Sequence, residues 1–488
     1  MPTRYQIFGP CVGILALCAL AGCAHQHPDR PLGGRGVTPP ANPVRAMVRG
    51  ATENVSPARL RADIDRLVSF GTRHTMSDRA SDTRGVGAAA RWIKSEFDKA
   101  AADRARLGLP AMHVSLEPHT LEPDGRRIDA PVEIQNVVAV IPGRLEASGQ
   151  AERIYISGHY DSRNGNEMDR TGDAPGANDD ASGTAVAIEL CRVLATREFD
   201  HTLVFVAFDA EEAGLYGSRK HVEQAVAENA RIRAVLNNDI VGDPTSPDGR
   251  ETRTLIRLFS EGLQAGPIGG DSIGGRPGSG AGATIERLRR EGALGDSSSR
   301  QLARYVYETA WQHRTDVRPI IIFRADRFLR GGDHTPFHDA GYPAVRFTEV
   351  HEDYNRQHQD VKVESGVRFG DEPQFVDANY LAGVARLNAA AAVCLASAPT
   401  APADARIITA ALDNTTTLRW SRSPDPDTAG YEIVWRETTS PVWNYVMDAR
   451  NATEATINIS KDNVFFGVRA YDREGYRSLV SFAYAARE

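Results

Sequence analysis

A set of short apolar runs constrains the fold most, because each is too continuous to be a half-wetted strand. Residues 136–143 (NVVAVIPG), 153–160 (RIYISGHY), 201–210 (HTLVFVAFDA), 234–242 (AVLNNDIVG) and 342–349 (YPAVRFTE) are such runs. Between them, 181–195 (ASGTAVAIELCRVLA) and 218–229 (SRKHVEQAVAEN) read as helices. Upstream, Val86, Ala90, Ile93 and Phe97 are spaced to line one face of a further helix. Strands that are apolar throughout need cover on both faces, and alternation with helices supplies it. The pattern therefore predicts an α/β domain with a mixed, mostly parallel sheet covered by helices. With 41% hydrophobic and 25% charged residues, the chain can bury a core of that size. No repeat of solenoid length recurs.

Lys and Arg number 57 against 64 Asp and Glu, a formal charge of −7. Without a basic block, this balance argues against nucleic acid as a partner. The more informative acids stand at the ends of the apolar runs, where ligands gather in an open α/β sheet. His159 and Asp161 close one run; two residues apart on an extended chain they share a side, so Asp161 can hold the imidazole in one tautomer. Asp179 and Asp180 stand just before a helix, as ligands or as its cap. Glu211 and Glu212 follow the third run, where they either ligate and accept a proton or decorate a first helical turn. Asp239 interrupts the fourth run, a place where solvation alone explains an acid poorly. His358, in YNRQHQD (354–360), follows the last run and on its own reads as an exposed loop residue. Together these imidazoles and carboxylates suit two Zn²⁺ ions sharing an aspartate, with one glutamate left over to take a proton from water.

The segments GHYDS, GANDDASGTA, DAEEAGLYGS, NNDIVGD and HQD, in this order, resemble the co-catalytic di-zinc metallopeptidases of family twenty-eight. That family comprises aminopeptidases, glutamate carboxypeptidase relatives and, more distantly, glutaminyl cyclases. The resemblance covers residues 57–397 and implies a phosphorylase/peptidase-like fold. It implies that Asp179 bridges two zinc ions, that His159 and Asp239 complete one site, and that Glu212 and His358 complete the other. Glu211 then corresponds to the general base, Asp161 to the carboxylate behind His159, and Asp180 to a residue often preceded by a cis peptide. One departure stands out. The family histidine commonly lies four residues before an aspartate, but Arg356 holds that position here and His358 lies two before Asp360. His351 is the competing ligand. Gln357 stands where some relatives carry an oxyanion-stabilising tyrosine, which leaves Tyr354 as the candidate. GGDHTPF (331–337) resembles a stretch near the family's pocket, so His334 contacts substrate or supports the site. The implied function is zinc-dependent hydrolysis of peptide bonds by a water that two metals activate, with aminopeptidase action on peptides outside the cytoplasm as the leading form. A carboxypeptidase-type exopeptidase and a glutaminyl cyclase-like enzyme are the alternatives. A purely structural metal would need no spare Glu211.

The flanks add an address and an appendage. Arg4, the apolar run 11–20 and Leu20-Ala21-Gly22-Cys23 resemble a bacterial lipoprotein signal. That implies removal of 1–22, lipidation of Cys23, membrane attachment, and an outer-membrane site in the bacterial envelope facing the periplasm or the exterior. Residues 23–55 read as a Pro/Gly-rich tether, 56–397 as the zinc peptidase domain with a Gly-rich insertion at 262–282, and 398–404 as a linker. In 405–488, Leu418/Trp420, Tyr431/Ile433/Trp435, Ile457/Ile459 and Phe466/Val468/Ala470 alternate with period two. This segment resembles a fibronectin type III module, a β-sandwich packed around Trp420 and Tyr431 and a possible platform for protein or glycan. Cys191 and Cys394 sit in apolar helical contexts and read as buried thiols, although an oxidising compartment would also permit their pairing.

Overall fold

The computed structural model describes residues 42–263, 288–411 and 413–487. The expected signal segment, Cys23 and most of the Gly-rich insertion lie outside them. The expected tether does not reach residue 55. Helix α1 (Asn42–Thr52) places Val44, Val48 and Ala51 at helical spacing, and all three are buried. Ser56 caps α2 (Pro57–Val68), accepting the Arg59 amide at 3.3 Å, and Pro57 fills a first-turn position where a missing N–H costs nothing.

The domain is organised on one eight-stranded sheet, and the longer α3 (Val86–Arg106) packs on its first two strands. Its strands are β1 (His113–Leu121), β2 (Val132–Ile141), β3 (Arg153–His159), β4 (Thr202–Phe208), β5 (Ile232–Asn238), β6 (Leu255–Phe259), β7 (Arg318–Ile322) and β8 (Ala344–Thr348). They lie in the order β1-β2-β4-β3-β5-β8-β6-β7. The centre, β4-β3-β5-β8, is parallel, and antiparallel pairings join β2 to β4 and β6 to β8. Every residue of β4 and β5 is buried; β4 is apolar after Thr202, and the polar Arg233, Asn237 and Asn238 of β5 are hydrogen-bonded.

Helix α4 (Ala181–Leu194) packs on β3, and α5 (Tyr216–Ala227), α6 (Ser298–His313) and the short α7 (His334–Asp339) follow in the chain. The apolar α8 (Ala378–Ser397) meets a membrane helix in length and hydropathy, yet 94% of that stretch is buried against α1, α4 and the sheet. It is a core helix.

Residues 405–487 form two further four-stranded sheets, consistent with the expected sandwich. Trp420 and Tyr431 are both buried, with ring centroids 5.8 Å apart at 59°. This unit is bound to the first through α6. Asp296 takes Arg304 at 2.9 Å and Arg436 of the sandwich at 2.7 Å, while Arg469 reaches Glu308 at 2.9 Å. Trp443 Nε1 donates to Gln301 Oε1 at 3.1 Å. Cys191 and Cys394 are free and buried.

Candidate metal centre

The parallel strands deliver their acids to one end of the sheet. β3 ends at His159, β4 leads into Glu211 and Glu212, and β5 leads into Asp239. The turn before α4 supplies Asp179 and the loop after β8 supplies His358. Two trios result. The ligand atoms of His159, Asp179 and Asp239 lie within 4.8 Å of one another, as do those of Asp179, Glu212 and His358. Asp179 belongs to both: its Oδ1 lies 3.1 Å from His159 Nε2 and its Oδ2 lies 2.9 Å from His358 Nε2. Glu212 Oε1 lies 2.8 Å from the same His358 nitrogen. The sequence left His351 as an alternative, but it joins neither trio among the described residues.

Supporting contacts explain why these side chains stay aimed. Asp161 stands behind His159, with its Oδ1 3.4 Å from Nδ1, and it also accepts the amides of Glu211 and Glu212 at 3.1 Å each. One buried carboxylate thus orients an imidazole and the turn that carries both glutamates. Asp180 caps α4 by accepting the Gly183 amide at 2.8 Å and takes the His159 amide at 3.0 Å. The Asp179–Asp180 peptide is cis, as the resemblance implied.

Several contributors were not foreseen. Asp371 accepts the amides of Asn178 and Asp179, at 2.9 and 2.7 Å, and so holds the loop that presents the shared aspartate. Arg346, buried within β8, lies 2.8 Å from Asp239 and 2.9 Å from Asp326. An arginine inside the run YPAVRFTE was the available signal, because a buried charge must be paired. Arg163 donates to Glu212 Oε2 at 2.9 Å and lies 2.7 Å from His358 Nδ1. Nothing in its sequence context distinguished it. Gln357 donates to Asp179 Oδ2 at 3.0 Å, whereas Tyr354 is exposed on the rim. His334 is buried and hydrogen-bonded to Ala325 O at 2.8 Å, its pKa pushed down to about 4 mainly by burial, which favours a supporting role.

Electrostatics fit cations here. Burial disfavours a charged His159, yet Glu211, Asp161, Asp179 and Asp180 outweigh it and raise the imidazole well above its usual value. His358 is similarly pushed up to about 10, burial opposing while Glu212 and Asp179 raise it. Burial drives the Glu211 carboxyl well above the usual carboxylate range, and Asp239, Glu212 and Asp333 add to the shift against His159. His159 Nε2 is buried without a hydrogen-bond partner and faces carboxylate oxygen, the posture of a ligand nitrogen. Nitrogen and oxygen donors in these proportions suit Zn²⁺.

The profile of peptidase family M28 matches residues 136–254. The chain is 42% identical to a probable zinc metalloprotease of Leptosphaeria maculans over 433 residues, 88% of this chain and 94% of the relative. It is 40% identical to a probable zinc metalloprotease of Pyricularia oryzae over 474 residues, 95% of this chain and 90% of the relative. Among solved structures it is similar to the LapA aminopeptidase of Legionella pneumophila, with 19% identity and a TM-score of 0.48 over 72% of this chain and 75% of that one. The two metalloprotease relatives are fungal, which overturns the expectation of a lipid-anchored protein in a bacterial envelope. Identity of this depth over nearly the whole of both chains makes the protein a member of peptidase family M28, a di-zinc metallopeptidase family whose two-metal centre the two trios fit.

Proposed function

We propose that this metallopeptidase is an exopeptidase of the aminopeptidase type, with Glu211 as its general base. The observation that carries the base assignment is a carboxylate beside the metal centre but in neither trio: Glu211 Oε2 lies 3.9 Å from His159 Nε2. His159, Asp179 and Asp239 would hold one zinc ion, and Asp179, Glu212 and His358 the other. When bound, the ions act as Lewis acids that polarise the scissile carbonyl and make water acidic enough to attack. Glu211 takes the proton of that water and returns it to the leaving amine. Asp161 keeps His159 and the Glu211–Glu212 turn in register through the contacts described above.

The cleft over the trios has a volume of about 340 Å³, which suits a few residues of peptide better than an extended chain. This supports exopeptidase action. Two complete trios favour hydrolysis over cyclisation by a one-zinc glutaminyl cyclase-like site. Residues 405–487 are read as a fibronectin type III-like module on the strength of the Trp420–Tyr431 pair between two antiparallel-rich sheets.

The test is a panel of dipeptides with free or acetylated amino termini and free or amidated carboxyl termini, with zinc content measured in parallel. Aminopeptidase action predicts turnover that needs the free amine and disappears with chelation. Cleavage of acetylated dipeptides, with a free carboxylate required, would instead establish carboxypeptidase action.

A further inference from the structure

The chain between β7 and α7 forms one wall of the cleft, with Leu329, Arg330 and Gly331 facing the same space as the two trios. Its base is pinned. Asp326 pairs with Arg346 at 2.9 Å, and Arg346 also binds Gly331 O. Arg327 is tied to Asp326 and Glu352, and Ala325 O accepts from His334. Because Arg346 lies 2.8 Å from Asp239, the wall is built directly onto a metal-site residue.

The tip between these anchors is exposed. Phe328 is 80% and Leu329 106% exposed, and Tyr354 across from them is 58% exposed. Leu329 has φ of 59°, a left-handed conformation unusual for a bulky residue. A firmly anchored turn that holds large apolar side chains in water, next to a catalytic cleft, has the character of a recognition surface.

Charge narrows the occupant. Arg127, Arg163, Arg327 and Arg346 also line the cleft, but Glu167, Glu212, Glu352 and Asp239 respectively already pair with them. Arg330 differs. Its guanidinium lies 5.4 Å from the Tyr354 ring centroid, and Arg324 stacks at 3.5 Å on Phe328. Among the described residues neither arginine has a carboxylate within ion-pair distance.

We propose that Leu329, Arg330, Phe328 and Tyr354 form an outer subsite for a peptide residue that is apolar and adjoins a carboxylate. The preferred substrates are then short peptides carrying both features. The carboxylate is an acidic side chain or the peptide's own terminus, since Arg330 would bind either. This inference rests on the peptidase reading and refines its substrate class.

The test measures dissociation constants by calorimetry on the zinc-loaded full chain carrying Glu211→Gln, so that bound peptide is not consumed. Three peptides suffice: Leu-Phe-Gln amide, Leu-Phe-Glu amide and Leu-Phe-Gln free acid. An exposed pair of this kind predicts about fivefold tighter binding of at least one acidic peptide over the neutral amide. The preference should vanish in Glu211→Gln/Arg330→Gln and fade in about 0.5 M salt. Which acidic peptide gains identifies the source of the carboxylate. Equal binding of all three, or a preference that survives Arg330→Gln, overturns the subsite. Failure of the wild type to turn over any of them, with the binding preference intact, would count against the aminopeptidase reading alone.

Discussion

Replacing Asp371 tests how the shared aspartate is kept in place. Its carboxylate, 6% exposed, accepts the Asn178 amide at 2.9 and 3.0 Å and the Asp179 amide at 2.7 Å. Burial pushes the Asp371 carboxyl up to about 7, so it does not count as a fully ionised acceptor. Truncation to alanine leaves two buried backbone donors unsatisfied, at about 1–3 kcal/mol each, so Asp371→Ala should destabilise the zinc-free protein by about 2–6 kcal/mol. Asp371→Asn keeps one acceptor oxygen and should lose roughly half of that. Because the freed loop carries Asp179, which serves both trios, zinc affinity should fall in the same order. Urea unfolding of the zinc-free proteins gives the first quantity, and competition with a chromophoric chelator gives the second. If Asp371→Ala unfolds at the wild-type midpoint and binds two zinc ions with wild-type affinity, the loop is held by something else and the reasoning is wrong.

Two further predictions follow from the same contacts. Asp161→Asn disturbs the support of His159 and of the Glu211 and Glu212 amides, so zinc affinity should drop about 10–100-fold; unchanged chelator competition would count against it. Deleting 398–488 removes Arg436 from Asp296 and Arg469 from Glu308. Water can reach the freed carboxylates, so the loss should be about 2–4 kcal/mol, and a 1–397 fragment as resistant to urea as the full chain would show that the contacts contribute nothing.

The sequence displayed the centre of the sheet and concealed its edges. β3, β4 and β5 are covered on both faces, so the apolar stretches 154–156, 203–208 and 234–236 within them stand out. β1 carries Pro118 and alternates poorly with solvent, and β6 and β7 are only five residues each, too short for periodicity to separate from chance. His159, Asp179, Glu212 and Asp239 were legible because each stands near a strand end or a helix start, where an acid or a histidine interrupts an apolar pattern, whereas His358, in a polar loop beyond β8, was singled out by the resemblance alone. Asp371 and Arg163 lie in polar loops, where one more charge carries no signal until the fold brings it to Asp179 or Glu212. Arg346 was the exception, a charge within a buried strand whose need for a partner was readable although Asp239 and Asp326 were not. The Pro/Gly-rich stretch misled for a related reason. Its composition pulled the tether past residue 42, although Val44, Val48 and Ala51 already had helical spacing.

In the proposed mechanism Glu211 performs chemistry while the five residues of the two trios hold metal. It is tested most directly by measuring zinc stoichiometry and turnover together in Glu211→Gln, a substitution that keeps shape and removes the base. The variant should bind two zinc ions per chain and turn over more slowly by about 10²–10⁴. Wild-type turnover with full zinc would contradict the assignment of the base, and loss of zinc along with activity would make Glu211 a ligand instead.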